Sequence, residues 1–272
     1  MSHIHFVGGG QMAEAIIRAL IEKQEFGAGQ LSVTDIDPAR LVVLGERYGV
    51  AASDDPEGLG AADLVVLGVR PQDDLGAVGQ LVRVHVRPQA WVVSIVAGVT
   101  IDRLDELTGR GFPVVRIIPN TLTSTGFGYS GVALGPKARA LGARENPVLN
   151  AFLTGFGKVE YVDEGQLDTF TGYGVAGPNY VYYFIESLAD AGVLAGLPRP
   201  LAWKLALENL KGAVAMLEQT KLHPRQLLDI NNSPGGVGIH ALHELNASDF
   251  AAGLQRAVVA AVKRTSELGG KK

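Results

Sequence analysis

The chain has 272 residues, of which 47% are hydrophobic and 19% charged, a folded composition with length for one large domain or two ordinary ones. The absence of Cys excludes a disulfide framework, a thiolate zinc site, an iron–sulfur cluster and a Cys nucleophile. A net charge of -4 leaves no electrostatic footprint for nucleic acid.

The N-terminus, MSHIHFVGGG, has neither a basic n-region nor a long apolar h-region, so no signal peptide is expected. The apolar runs are broken by Gly, Arg or Pro well short of the roughly 20 residues a bilayer needs. The expected setting is therefore cytoplasmic, with no membrane partner. His3–Val7 reads as a strand, and Gln11–Lys23 as a helix with a stripe at Met12, Ala15, Ile16, Ala19 and Leu20. A strand at Leu31–Thr34 and a helix near Pro38–Tyr48 follow. Asp63–Val69 reads as a buried strand, with Pro71 placed to start the next helix because it lacks the N–H that a first turn leaves unused. Trp91–Val96 and Val114–Ile118 are further strands, and Gly131–Leu134 and Val159–Val162 add to the set. Continuous apolar strands alternating with helices predict a parallel sheet covered on both faces.

From about Gly165 the pattern becomes helical. Pro178–Leu194, Pro200–Thr220 and Ser248–Leu268 read as long helices, punctuated by Pro198, Pro200 and His223–Pro224. The fold class expected is an α/β Rossmann domain over residues 1–163 followed by an all-α dimerisation and substrate domain over 164–272. The Tyr180–Leu194 helix is apolar nearly all round, and about a hundred helical residues cannot easily surround it in one copy. A homodimer or larger homo-oligomer is predicted. The cluster of Tyr180, Tyr182, Tyr183 and Phe184 reads as core, His3 and His5 as space-filling, and the final Gly-Gly-Lys-Lys as frayed.

Gly8-x-Gly10-x-x-Ala13 follows a strand and opens a helix, the context of a dinucleotide-binding turn. Gly8 permits the turn, Gly10 lets a pyrophosphate approach, and the N–H groups at Gln11 and Met12 belong to the helix N-terminus that would hold it. Asp35, at the end of the second strand, can accept from a ribose hydroxyl and repel a 2′-phosphate, which predicts NADH over NADPH. Arg40 is the counter-argument, since it could reach a phosphate. The loops carrying Val69 and Pro71, and Ala97 and Gly98, follow strands and belong on the cofactor side. His240 and His243 sit three apart on a helix, but nothing in the sequence completes a metal site, and none is expected.

The strings FVGGGQMAEAI, GVRPQ, VVSIVAGVT, VRIIPNT, GPNYVYYFIESLADAGVLAGLPR, HPRQLLDINNSPGG and GIHALHEL, in this order, resemble the pyrroline-5-carboxylate reductases along nearly the whole chain. The resemblance implies NAD(P)H-dependent reduction of a cyclic imine, most directly 1-pyrroline-5-carboxylate to proline. It also implies an active site at the junction of a Rossmann domain and an interlocking helical domain. No catalytic acid or base is assigned. A substrate carboxylate would rest on backbone N–H groups around Ser233, Gly235, Gly236 and Val237, with Asn120 positioning nicotinamide or substrate.

Several positions in the substrate loops depart from the family pattern. The family's Gly-Ser-Gly-Pro-Ala-Tyr is Val175-Ala-Gly-Pro-Asn-Tyr180, so Ala176 replaces a Ser and Asn179 a small residue. The Thr that follows Pro-Gly-Gly by two is Gly238, which is expected to open space. Pro-Asn-Thr-Pro becomes Pro119-Asn-Thr-Leu122. Loss of two hydroxyls keeps open a reductase for another cyclic imine in specialised metabolism, or a non-catalytic dinucleotide-binding regulator.

Overall fold

The computed structural model describes residues 2–109, 111–120, 122, 125 and 127–268. Its eight strands are β1 (Ile4–Val7), β2 (Leu31–Thr34), β3 (Ala51–Ser53), β4 (Leu64–Leu67), β5 (Trp91–Ser94), β6 (Val114–Pro119), β7 (Tyr129–Leu134) and β8 (Lys158–Tyr161). They form one sheet in the order β3-β2-β1-β4-β5-β6-β7-β8. The first six are parallel, in the order of a doubly wound nucleotide-binding sheet. The sheet is mixed rather than wholly parallel, because β7 runs antiparallel to β6. The segment between Pro119 and Tyr129 is shorter than the dozen or so residues a parallel crossover needs.

Both faces of the central part of the sheet are buried, by alternation along the strands, whereas the edge strands β3 and β8 carry no buried residue. Ile4, Phe6, Leu64 and Val66 point to one core with Ile16, Ile17 and Leu20 of α1 (Gln11–Glu22) and Phe152 of α6 (Pro147–Gly155). Val7, Val65, Leu67 and Val92 point to the other, with Val82 of α3 (Leu75–His85) and Leu104 of α4 (Ile101–Thr108). Burying each such side chain is worth about 1.5–3 kcal/mol, which is why the DLVVLGV stretch is apolar without a break. Helix α2 (Pro38–Tyr48) starts where expected, with Asp37 accepting from the Ala39 N–H at 2.9 Å. Pro71 does not start a helix. It lies in a turn pinned by Arg70 and Asp73, and α3 begins at Leu75, capped by Asp74, whose carboxylate accepts from the Ala77 N–H. A capping carboxylate outweighs the weaker preference of Pro for a first turn.

His3 and His5 do more than fill space. Ser32 Oγ lies 2.7 Å from both His3 Nε2 and His5 Nδ1, and His5 Nε2 lies 2.9 Å from Thr34 Oγ1, a polar ladder between β1 and β2 that is buried at His5 and half-buried at His3, just before β1. Arg116 on β6 is another buried polar group, 1% exposed, with Nη1 3.2 Å from Glu164 and Nη2 3.7 Å from Asp168. Glu164 also accepts from the Ile101 N–H at 2.7 Å, at the start of α4.

The chain divides into two compact units, one of residues 1–175 with 261–272, the other of residues 176–260. The first also contains the short helices α5 (Pro136–Ala140) and α7 (Leu167–Phe170) and a π-helical turn at Thr171–Val175. In the second unit α8 (Gly177–Leu194) packs on α9 (Arg199–Thr220), with Ala189, Ala202 and Ala206 buried between them. A Cβ at Gly192 would come within 2.9 Å of the Ala202 Cβ, so small residues set this close approach. Helices α10 (Pro224–Asn231), α11 (Val237–Ala247) and α12 (Phe250–Leu268) follow, and the residues of α12 from Ala261 onward belong to the first unit. The aromatic cluster expected in the core is open in the single chain, Tyr182 at 57% and Tyr183 at 76% exposure. One copy of the chain does not supply enough helix to cover them. The last four residues lie outside the described residues.

Candidate active site

Because β1, β2, β4, β5 and β6 are parallel, their carboxyl ends share one edge, where ligands of open α/β sheets bind. Gly8–Gly10, Asp35, Val69–Pro71, Ala97–Gly98 and Asn120 all follow these strands. The Gly8 N–H donates to the Thr34 carbonyl and the Gly68 N–H to the Val7 carbonyl, both at 2.8 Å. Gly8 has φ +98, and a Cβ there would lie 2.9 Å from the Gly68 carbonyl carbon. Only glycine satisfies both the turn and the contact. Gly10 is the N-cap of α1 and has no side-chain cap, so the first-turn N–H groups at Gln11 and Met12 face outward with the positive end of the helix. Nothing lies nearer than 3.9 Å to a Cβ built on Gly10, which is the open approach a pyrophosphate requires.

The middle glycine, which the spacing pattern leaves unassigned, is also constrained, here by side chains. A Cβ on Gly9 would be 2.6 Å from Leu44 Cδ1 and 3.2 Å from Val33 Cγ1. Its peptide groups are gripped from both sides. The Gly9 N–H donates to Asp35 Oδ2 at 2.6 Å, and the Gly9 carbonyl accepts from Arg40 Nε at 2.9 Å and Nη2 at 2.7 Å. Asp35 takes a second bond, at Oδ1, from the Asp37 N–H at 2.8 Å. Its carboxylate is thus fixed at the end of β2. Arg40 also pairs with Glu14 at 2.6 Å. That guanidinium is therefore turned into the protein.

On the nicotinamide side Gly98 is buried with φ +77, and Val69 and Ala97 are half-buried. Asn120 is fully buried, and its Oδ1 accepts from the Leu122 N–H at 3.2 Å, a loop-closing bond. Thr121 lies outside the described residues.

In the helical unit Ala176 precedes α8, and the exposed Asn179 sits in the first turn, its N–H donating to the Ala176 carbonyl at 3.0 Å. No side chain caps α8. Ser233–Gly236 form a turn closed by the Gly236 N–H on the Ser233 carbonyl at 3.0 Å, with Gly235 at φ +67. Gly236 is the uncapped N-cap of α11 and Val237 is 90% exposed, so the first-turn N–H groups from Val237 onward point outward, while the Gly236 N–H is spent on closing the turn. Gly238 does not open space as expected. A Cβ there would meet Asn232 Oδ1 at 2.3 Å, so the Asn232 carboxamide already occupies the position. Asn232 was missed because an Asn-Asn pair beside a Ser-Pro-Gly-Gly turn reads as turn chemistry. Among the described residues no group of His, Asp and Glu side chains is placed to hold a metal ion.

A glycine turn opening an uncapped helix at this sheet edge, followed by an apolar helical unit, places the chain in the class of nicotinamide-dinucleotide-dependent oxidoreductases that carry a helical domain after the Rossmann sheet. Comparison with known proteins narrows the class. Residues 164–268 match the family described as pyrroline-5-carboxylate reductase dimerisation, and residues 3–98 match NADP oxidoreductase coenzyme F420-dependent. The chain is 35% identical to the pyrroline-5-carboxylate reductase of Synechocystis sp. over 97% of both chains. It is 36% identical to that of Arabidopsis thaliana, over 97% of this chain and 95% of the relative. Among solved structures, Plasmodium falciparum pyrroline carboxylate reductase with NADP bound superposes with a TM-score of 0.84 at 27% identity, covering 98% of each chain. The chain belongs to the pyrroline-5-carboxylate reductase family.

Proposed function

We propose that the chain reduces 1-pyrroline-5-carboxylate to proline with a nicotinamide dinucleotide. The observation that carries this reading is the uncapped start of α1 behind Gly8–Gly10, in a chain related over its whole length to reductases of that name. The dinucleotide, when bound, supplies the hydride. The chain's residues bind and orient. Gly8, Gly10, Gln11 and Met12 take the pyrophosphate, while Val69, Pro71, Ala97 and Gly98 line its path. Asn120 is placed to position the nicotinamide or the substrate. A protonated imine carbon is electrophilic enough for hydride, so alignment matters more than an acid or base side chain.

The same proposal divides the chain into a dinucleotide-binding domain over 1–163 and a helical dimerisation and substrate domain over 164–272. The substrate carboxylate rests against the turn of Ser233, Gly235, Gly236 and Val237, held by the N–H groups at the start of α11, the Gly236 N–H being the one that closes the turn. Ala176, Asn179 and Gly238 shape the remainder, and the Asn232 carboxamide supplies the polar group that Gly238 lacks. NADH is the preferred cofactor, because the Asp35 carboxylate is fixed at the ribose position and Arg40 is turned away from it. The working form is a homodimer or larger homo-oligomer, supported by the open aromatic face of α8. The test is turnover of purified protein with NADH and NADPH. Faster turnover with 1-pyrroline-5-carboxylate than with other cyclic imines, and lower KM for NADH, supports the reading.

A further inference from the structure

We propose that Glu14 is a cofactor-specificity determinant that acts through Arg40, holding its guanidinium on the protein and away from the 2′-phosphate of a phosphorylated dinucleotide. The inference rests on the reading of Gly8–Gly10 and Asp35 as the dinucleotide site and extends it to a residue outside that site. Glu14 is in the first turn of α1, the turn whose N–H groups face the pyrophosphate. A carboxylate there opposes an anionic ligand, so the position calls for an explanation. It is 9% exposed and accepts three bonds from α2: Arg40 Nη2 at 2.6 Å, Arg47 Nη1 at 3.0 Å and the Tyr48 hydroxyl at 3.0 Å. The bond from Arg40, more than any other cause, holds the Glu14 carboxyl below its ordinary range.

Arg40 lies in the first turn of α2, just beyond Asp35, where a nucleotide-binding sheet places the arginine that accommodates a 2′-phosphate. Here the Nε–Nη2 edge, the edge that grips a phosphate in two parallel bonds, is spent on the Gly9 carbonyl and Glu14. Arg70, the next cation near Asp35, is likewise paired, with Asp73 at 2.8 Å. The cations are present, but each is neutralised by a carboxylate of this chain. Of these carboxylates Glu14 is the one that binds Arg40. Without its charge only a neutral carbonyl competes with a phosphate for Arg40, and a charged acceptor makes a bond roughly twice as strong.

The test is calorimetric titration of the full-length wild type, Glu14→Gln and Glu14→Gln/Arg40→Leu with NADH and with NADPH, each variant checked for folding by circular dichroism. Glu14→Gln is expected to raise the ratio of NADPH to NADH affinity about tenfold, and the added Arg40→Leu to abolish that gain. In the wild-type background Arg40→Leu is expected to leave the ratio unchanged, which also serves if Glu14→Gln does not fold. An unchanged ratio in Glu14→Gln, or an equal change for both dinucleotides, overturns the proposal. So does a selective loss of NADPH affinity in Arg40→Leu alone. The wild-type ratio separately tests the NADH reading, and failure to bind either dinucleotide overturns both.

Discussion

The Asn232 carboxamide fills the space of a side chain at Gly238, its Oδ1 lying 2.3 Å from where a Cβ would be. A glycine that looks like a deletion of polar chemistry is thus paired with a neighbour that restores a polar group. The obstacle is the far end of a flexible side chain, although the Asn231 carbonyl at 3.3 Å also crowds the position. Asn232→Ala is expected to lower kcat/KM for 1-pyrroline-5-carboxylate about tenfold, the size of one hydrogen bond. Gly238→Thr on the Asn232→Ala background is expected to recover most of the loss. Kinetics of the single and double variants check this; no loss in Asn232→Ala would remove Asn232 from the substrate account.

Gly9 and Gly10 are expected to fail in different ways. Leu44 is fully buried and cannot yield to a Cβ on Gly9, so Gly9→Ala should cost about 1–3 kcal/mol and lower the melting temperature. Gly10→Ala has free space around it and should melt like the wild type, yet bind dinucleotide more weakly because the methyl meets the pyrophosphate. Thermal melts beside dinucleotide titrations separate the two effects.

The central strands β4, β5 and β6 are legible in the sequence because each is a short apolar run whose alternate residues feed two cores. The site was legible only where backbone shape alone is required. Gly8 and Gly10 announce a turn by their spacing. Gly9 does not, because its constraint comes from Leu44 and Val33, distant in sequence. β3 went unread because Ala51–Ser53 is a short edge strand with little to bury. Arg40 pointed toward a phosphate in the sequence, and its pairing with Glu14 is a tertiary fact. The exposed tyrosines of α8 read as core because periodicity reports that a face is covered, not whether the same chain covers it.

Arg116 is expected to be structural. Arg116→Leu leaves Glu164 and Asp168 without their buried cation and should cost about 3–5 kcal/mol. Urea denaturation measures it. Glu164→Gln in the Arg116→Leu background should recover part of the loss, whereas additive losses would contradict a coupled pair.

Burial lowers the His5 pKa from 6.5 to about 4, with the neighbouring His3 charge acting in the same direction. The unfolded chain therefore takes up this proton first. The contribution of neutral His5 is complete above about pH 6.5 and is lost as pH falls toward 4, about 3 kcal/mol in all. Denaturation midpoints between pH 7 and 4 should fall accordingly. A His5→Val variant should show a shallower decline over that interval, and an identical slope would assign the acid sensitivity elsewhere.

The most direct test of the account is oxidation of NADH and NADPH by the purified protein with 1-pyrroline-5-carboxylate, beside a panel of other cyclic imines. The account predicts the highest kcat/KM for 1-pyrroline-5-carboxylate, with NADH preferred. Negligible turnover of that substrate with a clear preference for another imine, or dinucleotide binding without turnover of any, would contradict it.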